Sequence, residues 1–266
     1  MNKKFLIFAN PDEVSVKITN EVTFKMEAIG WSRTEDDSSA DLIFCIGGDG
    51  ALLRLLRRYS FPETPIVGIN TGHLGFFQEI SVDGIDEFIE LFKKGDYHIQ
   101  EYIGLSAEIH TEDEVKSYVA INEIVVRGEG ERLIHLDIKI GDKNIARYSG
   151  DGVLVCTPAG STAYNYSLGG VIVDPNVDML QITPIAPVNN IAYRSITSGI
   201  IVPTQTSIEL VPVNNEGKKI AVIEDGAIVA DGDIKRIVIH VADKKARIVR
   251  FRDYSFWGKV KDKIIG

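Results

Sequence analysis

Long apolar runs are missing from this chain. None approaches the roughly 18 uninterrupted residues of a membrane-spanning helix, which argues against a membrane protein. Cysteine is nearly absent as well: Cys45 and Cys156 lie in the apolar runs Leu42–Ile46 and Val153–Cys156, more than a hundred positions apart, with no CxxC or Cys/His spacing. Neither a zinc site nor a redox motif is suggested, and two small buried thiols fit a reducing cytoplasm. Basic charge is in short supply. The 29 Lys and Arg against 38 Asp and Glu leave a net charge of −9, which excludes a protein whose main task is to coat a nucleic-acid backbone. The opening apolar run, Phe5–Ala9, is shorter than the roughly 7–15 residues of an export signal and reads as a first β-strand. Internal repeats and low-complexity tracts are lacking too. What is present is 266 residues, 44% hydrophobic and 25% charged, enough for one large folded domain or two modest ones.

From Lys4 to about Gln100, short apolar runs alternate with helical periodicity, the pattern of a parallel α/β sheet. Phe5–Ala9, Leu42–Ile46 and Pro65–Ile69 read as strands; Val14–Ile29, the stretch after Gly50 carrying Leu52, Leu55, Leu56 and Tyr59, and Ile85–Phe92 read as helices. Beyond Tyr102 the runs are alternating or β-branched: Leu105–Ile109, Tyr118–Val126, Leu133–Ile140, Val153–Cys156, Ser207–Val213, Ile220–Ile223, Arg236–Val241 and Ala246–Phe251. Glu112–Glu114 and Gly128–Gly130 look like hairpin turns between them. The expected fold is therefore an N-terminal α/β domain with a parallel sheet, residues 1–100, followed by a β-rich, β-sandwich-like C-terminal domain, residues 101–266, whose terminal segment is free to pack back on the first. Lys244–Gly266 carries eight basic and two acidic residues and reads as a solvated strand edge and tail.

Gly47-Gly48-Asp49-Gly50 follows a buried strand and precedes a helix, where glycines permit a sharp turn and free N–H groups can meet an anion. A carboxylate in such a loop needs a purpose, and Asp49 could be a general base for phosphoryl transfer or a carboxylate that organises Mg²⁺. Neither GxxxxGK[ST] nor a GxGxxG turn is met here, so a Walker ATPase and a simple Rossmann dehydrogenase are both unsupported. Arg54, one turn into the helix, could supply positive charge. A second strand end carries Asn70-Thr71-Gly72-His73-Leu74-Gly75-Phe76-Phe77, with His73 a candidate phosphate or hydroxyl donor and Phe76 a candidate for packing on a base or ribose. The third signal is Thr157-Pro158-Ala159-Gly160-Ser161-Thr162-Ala163-Tyr164-Asn165-Tyr166-Ser167-Leu168, small and hydroxyl-rich, suited to close approach of a flat ligand with many hydrogen-bonding atoms, such as an adenine nucleotide. Asn122-Glu123 interrupts an otherwise apolar strand, and an unpartnered carboxylate there would be costly unless a ligand hydroxyl pair met it.

Taken in order, GGDG at 47–50, NTGHLGF at 70–76, NE at 122–123, GDG at 150–152, TPAGSTAYNYSLGG at 157–170 and Asp225-Gly226 resemble the NAD kinase family. GGDG alone also resembles lipid kinases and phosphofructokinases; the combination is specific. The resemblance implies phosphorylation of the adenosine 2′-hydroxyl of NAD by ATP, or by polyphosphate, with Mg²⁺ or another divalent cation. It implies Asp49 as proton acceptor, Gly50 and Arg54 at the phosphates, Asn122 and Glu123 on ribose hydroxyls, and Phe76, Thr162, Ala163, Tyr164 and Ser167 around adenine and ribose, with Ala159, Asn165 and Tyr166 in the same stretch. Asp151 and Ala186 match residues that reach the nicotinamide side from a neighbouring subunit, implying a homo-oligomer, dimer or tetramer, with shared sites. Its partners would be small molecules, neither nucleic acid nor membrane, and its location cytoplasmic. Three positions depart from the pattern: Ala51 where Thr usually follows GGDG, Ser149 where Arg or Lys is frequent, and Gly226 where many members carry a side chain. Two other classes stand beside this one, a lipid kinase, which would need an apolar entry surface, and a non-catalytic dinucleotide-binding module, which would have no reason to keep Asp49.

Overall fold

The computed structural model describes residues 3–72, 75–130, 133–189, 195–213, 219–251 and 254–266. In chain order the first elements are β1 (Lys4–Ala9), α1 (Glu13–Ala28), β2 (Ser32–Arg33), β3 (Leu42–Ile46), α2 (Asp49–Arg58), β4 (Ile66–Asn70), β5 (Ile80–Ser81) and α3 (Ile85–Lys94). There follow β6 (His98–His110), β7 (Val115–Ala120), β8 (Glu123–Gly128), β9 (Ile134–Ile140), β10 (Lys143–Gly150), β11 (Gly152–Cys156), the single turn α4 (Tyr164–Ser167), β12 (Met179–Ile185), β13 (Ile200–Pro203), β14 (Ile208–Pro212), β15 (Ile220–Glu224), β16 (Ala227–Gly232), β17 (Arg236–Arg250) and α5 (Phe256–Val260). Two compact units result: 1–102 with 244–266, and 103–243. The terminal 23 residues thus group with the first unit, and the division falls within β6 and within β17.

In the first unit β2, β1, β3 and β4 pair in parallel, and the C-terminal part of β17 joins β4 at Ile248 and Ile66. All five residues of Leu42-Ile43-Phe44-Cys45-Ile46 are buried, as a central parallel strand covered on both faces requires. Helix α1 is capped by Asp12, whose carboxylate accepts from Ser15 N at 2.9 Å, and it turns Ile18, Val22 and Met26 into the core. Helix α2 buries Ala51, Leu52, Leu55 and Leu56, a single face at helical spacing. Helix α3 ends on Gly95 at φ +71, the left-handed conformation that releases its N–H to the Leu91 and Phe92 carbonyls.

The second unit is β-rich. An antiparallel sheet in the order β13-β12-β11-β8-β15-β16 faces β10, β9, β14 and the N-terminal part of β17 across one core that joins Val153, Val155 and Ile182 to Leu136, Ile208 and Ile239. The opposite face of the six-stranded sheet buries Val125, Leu154 and Cys156, with Leu168 packed on them. Residues 157–170 therefore lie over that second face rather than at a free edge.

Several expected elements change form. Tyr118–Val126 is two strands, broken at Ile121 and Asn122, and Arg236–Val241 and Ala246–Phe251 are one strand, β17. Gly128–Gly130 does not join a hairpin, since β8 pairs with β11 and β15 whereas β9 pairs with β10 and β14. Strands β10, β12 and β16 carry too much polar or mixed sequence to announce themselves: in Met179–Ile185, for instance, Gln181 and Thr183 alternate with Leu180 and Ile182; β13, Ile200–Pro203, is apolar but only four residues long.

Candidate active site

The first unit presents Asp49 at the end of β3. Gly47 has φ +147, and a Cβ there would lie 2.7 Å from the Ala51 Cβ and 3.0 Å from Asn10 Nδ2, so only glycine allows the chain to turn this tightly into α2. Ala51 is buried directly beneath that turn, a packing position with no face toward solvent. Asp49 is the first residue of α2 and its carboxylate meets the loop after β4. Oδ2 accepts from Phe76 N at 2.9 Å, Oδ1 accepts from Phe77 N at 3.1 Å, and Lys263 Nζ stands 3.3 Å from Oδ2. Gly75 makes this approach possible, because a Cβ on it would lie 2.3 Å from Asp49 Oδ1. Two glycine-bearing loops that look independent in sequence thus form one device around a single carboxylate.

Arg54 is exposed on α2 and donates from Nη2 to Asn10 Oδ1 at 2.5 Å; its Nη1 is 3.6 Å from where a Cβ on Gly50 would stand. Phe76 is almost buried, its ring 5.9 Å from Phe256 and 4.7 Å below the Lys263 ammonium. His73 lies outside the described residues. Composition and motif reading missed the supports. Gln78 is buried and donates from Nε2 to the Gly48 carbonyl at 2.9 Å, fixing the residue that precedes Asp49. Cys45, next to Gln78, has its thiol pushed up to about 12 by burial and is inert as a nucleophile. Arg250 is fully buried. It donates to the carbonyls of Phe76 and Phe77 at 3.2 and 2.9 Å, to Glu79 Oε2 at 2.9 Å and to the Tyr102 hydroxyl at 2.7 Å, tying down the backbone that holds Asp49. Lys259 donates to the Gln78 and Phe76 carbonyls at 2.5 and 3.3 Å, and burial, with Arg250 nearby, lowers its ammonium to about 8. The expectation of a solvated tail fails at these residues.

In the second unit a tight knot surrounds Asn122-Glu123. Asp225 and Gly226, at φ +44 and +82, turn the β15–β16 hairpin, and the Asp225 carboxylate accepts from the backbone N–H groups of Ile121 and Asn122 at 2.8 Å and of Glu123 at 3.1 Å. Those three N–H groups are lost to the strand ladder, which is why the Tyr118–Val126 run breaks. A glycine at 226 follows from the turn, since its positive φ strains any side chain. Asn122 and Glu123 are 7% and 6% exposed, and Asn122 Oδ1 and Glu123 Oε2 find no hydrogen-bond partner. Burial, reinforced by Asp225, pushes the Glu123 carboxyl up to about 8. Burial also lifts Asp225 to about 6, against the pull of its three N–H bonds. Two orphaned acceptors on consecutive buried residues leave a polar deficit of the kind that hydroxyl donors would meet.

The 157–170 stretch is fastened to this knot. Thr157 N donates to the Asn122 carbonyl at 3.0 Å and Thr157 Oγ1 to the Ile121 carbonyl at 2.5 Å. Gly160 passes so close that a Cβ would fall 2.1 Å from the Asn122 carbonyl oxygen. Asn165 is fully buried; its Nδ2 donates to the Ser161 carbonyl at 3.2 Å and its Oδ1 accepts from Thr183 Oγ1 at 2.6 Å. Ala159 and Asn165 therefore face inward, whereas Tyr164 and Tyr166 are 41% and 45% exposed, Ser167 is exposed and Thr162 and Ala163 are half-buried. The polar face of β12 supports the loop through Thr183 and through Gln181 Oε1, which accepts from Val171 N at 3.0 Å.

Ser149, Asp151 and Ala186 lie at the other end of β11. Ser149 is buried, its hydroxyl 2.8 Å from His135 Nδ1 and its N–H bonded to Ser195 Oγ at 2.8 Å. Asp151 and Ala186 are exposed neighbours, joined through Asp151 N and the Ile185 carbonyl at 3.1 Å, with Ala186 at φ +45. Five residues of β11 separate Asp151 from Thr157, six steps of extended chain spanning about 20 Å. Within this unit they are not brought to the 157–170 loop.

Comparison with known proteins gives this geometry its context. Residues 5–97 match the ATP-NAD kinase N-terminal domain and residues 121–251 the ATP-NAD kinase C-terminal domain. The chain is 36% identical to NAD kinase of Finegoldia magna, over 99% of each chain, and 34% identical to NAD kinase of Lysinibacillus sphaericus, over 98% of each. Its fold is similar to yeast NADH kinase complexed with NADH, with a TM-score of 0.83 at 21% identity, covering 99% of this chain and 87% of the other. An NAD kinase from Archaeoglobus fulgidus in complex with ATP matches with a TM-score of 0.73 at 25% identity, covering 98% and 99%. These relatives do not favour the lipid-kinase or the non-catalytic reading. An aspartate-bearing GGDG loop, orphaned acceptors at Asn122-Glu123 and relatives spanning nearly every residue all lead to one assignment: the chain belongs to the NAD kinase family.

Proposed function

We propose that this chain transfers the γ-phosphoryl group of ATP to the adenosine 2′-hydroxyl of NAD, giving NADP and ADP. The observation that carries the reading is the carboxylate of Asp49, fixed by the N–H groups of Phe76 and Phe77 at the head of α2, with a lone pair left on Oδ1 and the second lone pair of Oδ2 facing the Lys263 ammonium. Asp49 takes the proton of the 2′-hydroxyl as the O2′–P bond forms and the bond from phosphorus to the bridging oxygen breaks; ADP leaves with that electron pair. The free N–H groups at the start of α2 face the phosphates, and Arg54 supplies positive charge one turn along.

Asn122 Oδ1 and Glu123 Oε2 accept hydrogen bonds from ribose hydroxyls, which satisfies two of the buried atoms that the fold leaves without partners. Thr162, Ala163, Tyr164 and Ser167 line the adenine and ribose side, with Asn165 locking the loop from within. Asp151 and Ala186 serve the nicotinamide side of a neighbouring subunit's site, a role that suits their separation from the 157–170 loop and that makes the active species a homo-oligomer. Among the described residues no three His, Cys, Asp or Glu side chains are grouped to hold a metal. A divalent cation such as Mg²⁺ enters with ATP, on its phosphates, and supplies charge neutralisation there. No helix among the described residues is long and apolar enough to cross a membrane, and we place the chain in the cytoplasm.

The test is incubation with NAD, ATP and Mg²⁺, with NADP read by an NADP-specific dehydrogenase. Asp49→Asn keeps the size and one acceptor oxygen of the side chain, so it should bind NAD normally and lose about 10³-fold in kcat. Turnover near the wild-type rate would remove Asp49 from this role.

A further inference from the structure

The C-terminal segment is built onto the residues that hold Asp49. Ser255 caps α5 by accepting from Gly258 N, Phe256 packs its ring 5.9 Å from Phe76, and Lys259 reaches the carbonyls of Phe76 and Gln78. A π-helical turn, Lys261–Ile265, then sets the Lys263 ammonium 3.3 Å from Asp49 Oδ2 and 4.7 Å from the centroid of the Phe76 ring. Among the described residues Lys263 is the one cation within ion-pair distance of Asp49. Its side chain remains 37% exposed, so the ammonium keeps access to solvent and to whatever approaches Asp49 from outside.

We propose that Lys263 binds the transferred phosphoryl group of ATP, leaving Asp49 as it does so. The inference rests on the reading of Asp49 as proton acceptor. If Asp49 receives the proton of the attacking hydroxyl, the phosphorus under attack must pass within a few ångströms of the same carboxylate, and therefore within the sweep of a four-carbon lysine stem anchored beside it. The triphosphate carries several negative charges against one on Asp49, so the ammonium is drawn from the carboxylate to the phosphate oxygens. Its departure frees the Oδ2 lone pair that it had covered, at the moment the donor is in place. The other cations near this loop are already engaged, Arg54 with Asn10 and Lys259 with two carbonyls.

The experiment compares Lys263→Met, Lys263→Arg and the neighbouring exposed Lys261→Met in the whole protein, by calorimetric titration with ATP–Mg²⁺ and by kcat and KM for each substrate. Lys263→Met should weaken ATP binding about tenfold, flatten its dependence on salt and lower kcat by a similar factor, with KM for NAD within twofold of wild type. Lys263→Arg should recover most of the ATP affinity, and Lys261→Met should match wild type. Thermal melts unchanged in all three keep the comparison free of folding effects, as expected for a part-exposed side chain. An ATP dissociation constant within twofold of wild type in Lys263→Met overturns the proposal. So does a Lys263→Met enzyme faster than wild type, which would make the lysine an inhibitory cap. Asp49→Asn measured alongside separates the two readings: if it turns over normally while Lys263→Met loses ATP affinity, the base assignment falls and the phosphate contact stands.

Discussion

Two carboxylates, Asp49 in the first unit and Glu123 in the second, are held in opposite ways. Asp49 has a donor on each oxygen and an ammonium beside it, and a quarter of its side chain is exposed. Glu123 is buried, with Oε2 unpartnered and the negative Asp225 as neighbour, so its proton stays on until about pH 8. The difference teaches what each site waits for. The first is a carboxylate whose donors the protein itself supplies, whereas the second carries a buried acceptor that the described residues leave unmet.

Glycine substitutions probe this contrast most severely. Gly160→Ala drives a Cβ into the backbone at Asn122, which cannot step aside, so it should destabilise the protein by about 3 kcal/mol or more, read as a lowered denaturation midpoint. Gly75→Ala meets only the end of the Asp49 side chain. The fold should survive while the carboxylate swings off its two N–H donors, and kcat should fall roughly 10²-fold, about 2.7 kcal/mol, with little change in melting temperature. If both variants fail in the same way, the two regions are not differently built.

Glu123→Gln sharpens the contrast further. With the folded carboxyl raised above its unfolded value of 4.5, the native state binds more protons than the unfolded one between about pH 4.5 and 8, so stability falls as pH rises through that window. Asp225, raised from 3.8 to about 6, adds the same sign lower in the range. Glutamine removes the charge, so without substrate it should stabilise the protein at pH 8 relative to pH 5 by about 2 kcal/mol, seen in paired denaturation curves, while weakening NAD binding. A pH-independent difference would mean that Glu123 is ionised in the folded state. The smallest effect belongs to Tyr164→Ala, whose exposed ring should contribute about tenfold to NAD affinity and nothing to stability; an unchanged dissociation constant would exclude Tyr164 from the pocket.

Much of the fold was legible where one interaction dominates. Leu42–Ile46 is apolar at every position and became a fully buried parallel strand, and the 52, 55, 56 spacing became the buried face of α2. What was illegible depends on partners far away in sequence. Nothing in Tyr118–Val126 says that the strand breaks, because the cause is Asp225, a hundred residues on, taking three N–H groups. Arg236–Val241 and Ala246–Phe251 read as two strands, yet β17 runs unbroken through Asp243, Lys244 and Lys245, with Lys244 and Lys245 reaching the Ser60 carbonyl and Glu101. The basic tail looked like solvated charge because composition cannot tell Arg250, buried at the centre of five hydrogen bonds, from a surface arginine.

The motifs by themselves determined the chemistry on offer: a carboxylate in a glycine turn, a hydroxyl-rich loop, a polar pair in an apolar strand, and the family to which their order belongs. These are local properties, fixed by residue type and short spacing, and they survive without coordinates. Tertiary structure alone decided that Gly75 leaves room for Asp49, that Asn122 and Glu123 have acceptors left over, that Asn165 faces inward and Tyr164 outward, and that Lys263 ends beside Asp49. Each of those facts is a relation between atoms brought together by packing, and no spacing along a chain encodes a distance across it.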